Sequence, residues 1–459
     1  MRILILGSPK TGTTYLFYMI KKVMPDDTAC FFEPESHDDQ TELLSHSSVL
    51  TKFLITGNSF GSLMKPEALA RYDKTILLVR DPRDMLVSTF MYHIYENSIT
   101  ADLARFAAFM TLLRIKEEDP SAFSMKALID LQAQINDSSP LEITEFVCNN
   151  IGLSSLILEK WADKLILLKY EDMVAGKLAA VESYLGLNLI PTDTEIPLEH
   201  KVVTRSKASG DWKNWYRPED EDWCKRLFST YVGKFGYADE WDLPKVTQLD
   251  AERASRYAMR VAWAKGSLAP VGFLWESFSP DKQVLDNLLL GKEAYLPYLY
   301  ATEKMELPST GAVILNPRIE NLDGQVVNVL QREQQYFFVY EVKFVRGVEN
   351  VGFWMGLGSV ERGTILGNGT PLHGQVFDRF NPGDKVTVRF NIACAAIDPD
   401  IYFLDAGVTV NRSPFEVEYL HRLLKCCVFC VNQRKLRDSW LQRPELAVEC
   451  PHRPELSGE

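Results

Sequence analysis

Long apolar runs are missing from this chain: no stretch approaches the roughly 20 residues that a bilayer-spanning helix requires, so no transmembrane segment is expected. A signal-peptide core is not visible either, because residues 1 to 7 read as a strand and residues 8 to 14 as a polar loop. Cysteine is sparse, with eight in 459 residues, mostly scattered, which argues against a disulfide-stapled secreted domain and for reduced thiols in a cytoplasmic setting. Basic residues are too few to favour nonspecific nucleic-acid binding: 50 Lys and Arg face 62 Asp and Glu, a formal net charge of −12. No nucleic-acid partner is therefore expected. Internal repeats and low-complexity tracts are absent from the sequence as well.

The one cysteine cluster, Cys426-Cys427-Val428-Phe429-Cys430, contains a C-x-x-C spacing, and Cys450 and His452 follow it. The second half of a zinc ligand set is poorly spaced, and apolar neighbours make the run read as a strand with alternate residues buried. No metal is expected.

What the chain does contain is apolar material in quantity, 46% of residues, enough for large cores. Its length points to two or three domains. Residues 1–240 alternate strand-like runs with helical stretches, the pattern of an α/β domain with a parallel sheet flanked by helices. Ile3–Leu6, Thr75–Val79 and Leu165–Leu168 are the clearest strands. The stretch from Ala101 to Asp163 is helix-rich and expected to shape an acceptor cleft. Cys224–Phe235 reads as a closing helix. Residues 241–308 form a connector with helical pieces at Ala251–Lys265 and Lys282–Leu290. From residue 309 to 431 short β runs (Gln325–Leu330, Gln335–Phe344, Gly352–Leu357, Lys385–Ile392, Tyr402–Val410) alternate with turns at 322–324, 368–369 and 381–384. That texture predicts an all-β sandwich. Residues 432–459 are polar and proline-bearing, and are expected to be loosely ordered.

Chemistry concentrates near the start. Gly7-Ser8-Pro9-Lys10-Thr11-Gly12-Thr13-Thr14 links the first strand to a helix beginning near Tyr15, so backbone N–H groups at the turn can collect an anion. A nucleotide triphosphatase loop would carry lysine directly after the second glycine. Here Thr13 occupies that slot and the lysine is Lys10, which points away from ATP.

Pro9-Lys10-Thr11-Gly12-Thr13-Thr14 resembles the 5′-phosphosulfate loop of sulfotransferases that use 3′-phosphoadenosine 5′-phosphosulfate (PAPS). Three further segments in family order strengthen the resemblance over residues 1 to about 240. Arg80-Asp81-Pro82-Arg83-Asp84, with Ser88 eight positions after Arg80, is similar to the 3′-phosphate site. Arg205-Ser206-Lys207-Ala208-Ser209-Gly210-Asp211-Trp212-Lys213-Asn214 is similar to the late segment that closes over the same phosphate, with its lysine displaced by one place. Leu168-Lys169-Tyr170-Glu171-Asp172-Met173 is similar to the segment near the adenine. The resemblance implies PAPS as co-substrate, bound by Pro9, Lys10, Thr11, Gly12, Thr13, Thr14, Arg80, Ser88, Tyr170, Arg205, Lys207 and Gly210. A phosphate dianion calls for guanidinium forks with hydroxyl and backbone donors, which these residues offer. Arg83 and Asp84 are expected to cap the helix that follows them.

For catalysis, the family implies Lys10 beside the bridging oxygen and Lys52 as a second lysine near the sulfate. Small-molecule members place a histidine after that lysine, where this chain has Phe53-Leu54. Carbohydrate sulfotransferases use a glutamate soon after the phosphosulfate helix, and Phe31-Phe32-Glu33-Pro34 makes Glu33 the candidate base. His37 and His93 are weaker candidates.

In the C-terminal part, Pro317-Arg318-Ile319-Glu320-Asn321, Gly352-Phe353-Trp354-Met355, Phe380-Asn381-Pro382-Gly383-Asp384 and Tyr419-Leu420-His421-Arg422 resemble the carbohydrate-binding C-terminal domain of Wzt, the ATPase subunit of O-antigen polysaccharide exporters. Trp354, within an apolar run, is expected in the core. Together the two resemblances imply a cytoplasmic sulfotransferase acting on a bacterial surface glycan or its lipid-linked precursor, with peripheral association with the inner membrane left open. Oligomerisation through the sandwich stays open too. The competing reading is a non-catalytic glycan-binding or export-coupling protein with an inactive nucleotide domain.

Overall fold

The computed structural model describes residues 1–34, 45–96, 102–190, 195–202, 204–206, 208–237, 241–264, 271–274, 280–332, 334–359, 363–394, 400–413 and 416–432. Five strands, β1 (Arg2–Gly7), β2 (Ala29–Phe32), β3 (Val49–Leu54), β4 (Lys74–Val79) and β5 (Ile166–Lys169), form a parallel sheet in the order β2-β3-β1-β4-β5. Both sheet faces are covered, which is why β1 reads as a continuous apolar run. Its Leu4 and Leu6 enter one core, while Ile3 and Ile5 enter the other.

The flanking helices are α1 (Thr13–Lys21), α2 (Gly57–Leu63), α3 (Pro82–Glu96), α4 (Leu103–Glu118), α5 (Met125–Asn136), α6 (Leu141–Trp161), α7 (Tyr170–Val174), α8 (Ala179–Leu185), α9 (Leu198–Lys201), α10 (Trp212–Trp215) and α11 (Glu221–Lys234). The helix-rich stretch after Ala101 comprises α4, α5 and α6. α4 is buried on every face, from Leu103 to Lys116, because later elements pack over it.

Those later elements belong to the connector: α12 (Ser255–Ala264), β6 (Val271–Phe273), α13 (Lys282–Leu289), β7 (Leu299–Ala301) and β8 (Met305–Glu306). α13 lies on α4, and α12 touches both α3 and α4. Tyr257, Val261, Leu285 and Tyr298 share one continuous core with Phe106, Phe109 and Leu113. The connector is thus packed structure rather than a tether.

Beyond it, β9 (Ala312–Glu320), β11 (Gln335–Phe344) and β15 (Lys385–Ala393) make an antiparallel sheet in the order β15-β11-β9. The facing sheet runs β10 (Val329–Gln331), β17 (Glu416–Asn432), β16 (Ile401–Ser413), β12 (Val348–Ser359) and β13 (Gly363–Gly369), with β14 (Phe377–Phe380) also on β12. Alternate residues Tyr336, Phe338, Tyr340 and Val342 of β11 meet Phe353, Met355 and Leu357 of β12 and Leu404 and Val408 of β16. This is a sandwich built on period-two patterning.

Three details differ from the sequence expectation. Of the run from Gln325 to Leu330, only Val329 and Leu330 become an extended strand, which continues to Gln331. Asn368 and Gly369 do not form a turn; they end β13, paired with Met355 and Trp354, because the chain reverses one step later in a 3-10 turn at Thr370–His373. Around Cys426–Cys430, β17 is buried on both faces: Phe429 and Val431 face the sandwich, whereas Val428 and Cys430 pack into the first core. Cys450, His452 and the rest of the tail after Asn432 lie outside the described residues. Among the described residues no helix is long and apolar enough to cross a membrane.

Candidate functional site

The loop between β1 and α1 is tight for a definite reason. Gly12 has φ +93° and caps α1, and a Cβ there would meet the Tyr170 ring at 2.6 Å. Lys10 also takes a left-handed backbone, φ +68°. The Thr11 hydroxyl donates to Ser8 O at 2.6 Å, and the Ser8 hydroxyl donates to Asn150 O of α6 at 2.9 Å, which ties the loop down. The first N–H groups of α1, at Thr13 and Thr14, point past the helix start, as helix geometry requires. Pro9 is half-buried, and the Lys10 ammonium lies over the Tyr92 ring, 3.6 Å from its centroid.

Lys52 reaches the same loop from β3. Its Nζ donates to Thr14 Oγ1 at 2.9 Å and to the Glu33 carboxylate, and sits 4.0 Å from the Phe32 ring centroid. Parallel pairing of β2 with β3 sets Phe32 beside Lys52. Glu33, at φ +52°, turns the chain so that its carboxylate points back at the amine. Lys52 is only 2% exposed, and burial lowers its pKa although Glu33 works in the opposite direction. The three catalytic candidates therefore split: Lys52 and Glu33 form an ion pair at the loop, and Lys10 faces α3. His93 lies on α3, half-buried, with its pKa lowered by burial against the pull of Glu142. His37 is outside the described residues. Sequence reasoning missed His200, whose ring stacks on Phe32 at 4.6 Å.

On the other side of the loop, Arg80 leaves the end of β4, donates to Lys10 O at 3.1 Å and lies over the Tyr170 ring at 4.4 Å. Ser88 is buried on α3. The Tyr170 hydroxyl donates to Ser206 O at 3.3 Å. Burial raises the Tyr170 phenol pKa, while the Arg80 and Arg205 charges pull it back. Arg205 is 8% exposed and donates to Asp211 Oδ2 at 2.5 Å. Gly210, at φ +79°, presents its N–H to Asp84 Oδ2 at 2.6 Å. Lys207 lies outside the described residues.

Capping of α3 differs from expectation. Asp81 accepts the Arg83 N–H at 2.9 Å and is gripped by the Arg83 guanidinium, so Asp81 does the capping. Asp84 instead turns to the backbone N–H groups of Gly210 and Trp212. These long-range partners carry no local sequence signal.

Among the described residues, Arg80 Nε, Arg205 Nε and Nη2, and Ser206 Oγ are buried without a hydrogen-bond partner. Guanidinium N–H groups are rarely left so in a native interior. Donors of this kind around an aromatic ring, beside a helix start, fit a nucleotide phosphate. Among the described residues no group of three or more His, Cys, Asp or Glu side chains is placed to hold a metal ion.

A second surface lies on the outer face of β12 and β16. Trp354, expected in the core, points away from it. Its neighbours Phe353 and Met355 take the core positions, and its indole N–H donates to Thr409 Oγ1 at 2.9 Å. Glycines border it: a Cβ at Gly369 would meet the indole at 2.4 Å, and Gly407 lies between Trp354 and Tyr419. The exposed Tyr419 ring carries the Arg422 guanidinium at 5.1 Å, and Arg422 is 3.8 Å from Asp405.

The family model described as the Wzt C-terminal domain matches residues 306–440. No curated protein matches the chain. Among solved structures, a crystal structure of the C-terminal domain of Wzt is 19% identical over 30% of this chain and 82% of that one, with a TM-score of 0.28. A crystal structure of the mouse sulfotransferase SULT7A1 complexed with PAP is 16% identical over 50% of this chain and 83% of that one, with a TM-score of 0.34; it covers the N-terminal half. The resemblance read from Pro317 to Arg422 falls within the 306–440 segment that matches the Wzt C-terminal domain family.

Proposed function

We propose that the chain is a sulfotransferase that moves a sulfuryl group from PAPS to a carbohydrate hydroxyl, with residues 1–240 as the catalytic domain, 241–308 as connector and 309–431 as the glycan-binding sandwich. The observation that carries this reading is convergence. The four motif segments meet at Tyr170: Gly12 against its ring, Arg80 over its face and Ser206 on its hydroxyl, with buried arginine N–H groups left to be satisfied. Lysine at Lys10 rather than at Thr13 separates this arrangement from a triphosphatase loop.

When bound, PAPS supplies an activated sulfuryl group whose bond to the 5′-phosphate oxygen is broken. Thr11, Gly12, Thr13 and Thr14 would hold the 5′-phosphate through backbone and hydroxyl donors. Arg80, Ser88, Arg205 and Lys207 would hold the 3′-phosphate, Arg80 and Arg205 with N–H groups that are buried and without a partner among the described residues. Each charge-assisted hydrogen bond of this kind contributes about 1.5–3 kcal/mol, so Arg80→Ala should weaken adenosine bisphosphate binding by about 10- to 100-fold. Lys10 would neutralise charge on the bridging oxygen. Glu33 would take the acceptor's proton, steadied by Lys52, which also contacts Thr14. Positioning and charge stabilisation dominate such transfers.

The glycan surface would be the outer sheet face with Trp354 and Tyr419, an aromatic pair flanked by glycines and by the Asp405 and Arg422 polar groups. A surface glycan or its lipid-linked precursor is the proposed acceptor.

The test is to incubate purified protein with radiolabelled PAPS and glycans extracted from the host. Label should pass to the glycan with the parent protein, and Glu33→Gln should lower turnover about 100-fold or more while nucleotide binding persists. Absence of transfer, together with no calorimetric heat for adenosine 3′,5′-bisphosphate, would overturn the reading. Transfer undiminished in Glu33→Gln would remove Glu33 from the chemistry.

A further inference from the structure

The late phosphate segment is held from outside the 1–240 portion. Arg260, on α12 of the connector, donates from Nε to Val202 O at 3.3 Å and from Nη2 to Thr204 O at 3.0 Å, bracing the backbone that leads into Arg205. Seven residues earlier, in the 3-10 turn Ala251–Arg253 that precedes α12, Arg253 accepts at its carbonyl from Arg205 Nη1, at 3.4 Å. Its own guanidinium is 3.7 Å from Asp211 Oδ1 and 3.4 Å from Asp250. Asp211 thus stands between two arginines, hydrogen-bonded to Arg205 at 2.5 Å on one oxygen and facing Arg253 on the other. The Trp215 indole N–H also donates to Asp211 Oδ2, at 3.2 Å. The connector turn is itself anchored to α4, where the Ser255 N–H donates to Glu117 at 2.7 Å.

The electrostatic consequence follows from counting charges. Arg205 and Asp211 alone would cancel, leaving little net attraction for a dianion at a buried site. With Arg253 facing the same carboxylate, two guanidiniums oppose the buried Asp211; Asp250, the second carboxylate at Arg253, is half-exposed and screened by solvent, so the buried end of the cluster keeps a net positive charge. Asp211 then orients Arg205 by one N–H and leaves its Nε and Nη2 groups, buried without a partner among the described residues, for a ligand.

We infer that Arg253 is a positioning residue of the nucleotide site, supplied by the connector, which offsets Asp211 so that Arg205 keeps its charge for the 3′-phosphate. The inference rests on the sulfotransferase reading above. It makes the connector part of the nucleotide site, so residues 1–240 by themselves hold that phosphate less tightly.

Calorimetry on the full chain tests it with two probes, adenosine 3′,5′-bisphosphate and adenosine 5′-phosphate. Arg253 is about one-third exposed, so Arg253→Gln should fold, and its melting curve checks that. Expected is a loss of about tenfold in affinity for the bisphosphate and none for the monophosphate, because only the former carries the 3′ group. Arg253→Lys should restore most of that affinity, and in the transfer assay Arg253→Gln should raise KM for PAPS with kcat retained. Bisphosphate binding equal to the parent's in Arg253→Gln, while Arg80→Ala loses it, overturns this inference and spares the sulfotransferase reading. Equal weakening of both nucleotides would reduce Arg253 to a structural role and also overturn it. If the parent binds neither nucleotide, the sulfotransferase reading falls and this inference falls with it.

Discussion

Asp84 accepts the backbone N–H of Gly210 at 2.6 Å and that of Trp212 at 2.8 Å, joining two motif segments that lie 126 residues apart at the closer of those contacts. Asp84 is fully buried, and burial raises its pKa against the nearby Arg80 charge. The carboxylate therefore holds the late segment over the same site that Arg80 enters.

Removing that carboxylate should have two effects. Asp84→Ala leaves two buried N–H groups without an acceptor, a cost of about 2–4 kcal/mol in unfolding free energy. Adenosine bisphosphate binding should weaken as well, since Gly210 and the residues before it lose their anchor. Urea denaturation and calorimetry check both. A variant as stable as the parent would show that these hydrogen bonds do not hold the segment.

Gly12 sets a second prediction. At φ +93°, an alanine there is strained before any contact is considered, and its Cβ would come within 2.6 Å of Tyr170 Cδ2 and 2.7 Å of Cε2. Backbone strain and overpacking together should lower stability by about 2–4 kcal/mol. Because the displaced Tyr170 ring carries the Arg80 guanidinium on its face, nucleotide affinity should fall more steeply than in a surface variant of equal stability. Matching affinity in Gly12→Ala and the parent would show that the loop and Tyr170 do not form one unit.

How much of this was legible beforehand depended on whether the signal was local. β1, the phosphate loop and α1 are contiguous, so an apolar strand, a glycine turn and a helical run announce them together. The period-two apolar pattern from Gln335 to Phe344 announced β11 in the same way. Nothing local marks the Lys52 pairing, since parallel pairing of β3 with β2 is what brings it to Glu33. The links of Asp84 to Gly210 and of Arg253 to Asp211 are side-chain choices across the fold, invisible in either segment alone. Trp354 was misjudged because Gly352–Leu357 looks uniformly apolar. The overlooked sign was the glycine at Gly356 and Gly358, small residues on the face that Trp354 shares. Burial of α4 on all sides could not be read from its sequence either, because the covering elements come more than 130 residues later.

Lys116 makes the buried state of α4 measurable. Its ammonium is fully buried and donates to Pro120 O at 2.5 Å and Phe123 O at 2.6 Å. Burial brings its pKa from 10.5 down to about 8. Between those values the unfolded chain binds more protons than the folded one, so this group's contribution to stability rises with pH across that window. The full gain is about 3 kcal/mol at most. In Lys116→Met the rise should vanish, so the stability gap between parent and variant should widen in the parent's favour from pH 8 to 10.5. Parallel pH profiles would mean that the amine is not desolvated in the folded protein.

The outer face of the sandwich offers a test that leaves the nucleotide site untouched. Trp354 is half-buried, fixed by its hydrogen bond to Thr409, and bordered by Gly369 and Gly407, where the absence of a Cβ lets the indole lie against the neighbouring strands on the outer face. Trp354→Ala should destabilise the sandwich only modestly, by about 1–2 kcal/mol, because the ring lies outside the core shared by Phe353 and Met355. Its effect on polysaccharide extracted from the host should be larger, a loss of about 30-fold in affinity, as expected for an aromatic anchor at the centre of a binding face. Adenosine bisphosphate binding should be unchanged in the same variant. Tyr419→Ala, at the edge of the same face, should weaken the glycan less. Polysaccharide binding equal to the parent's in both variants would move the glycan off this face.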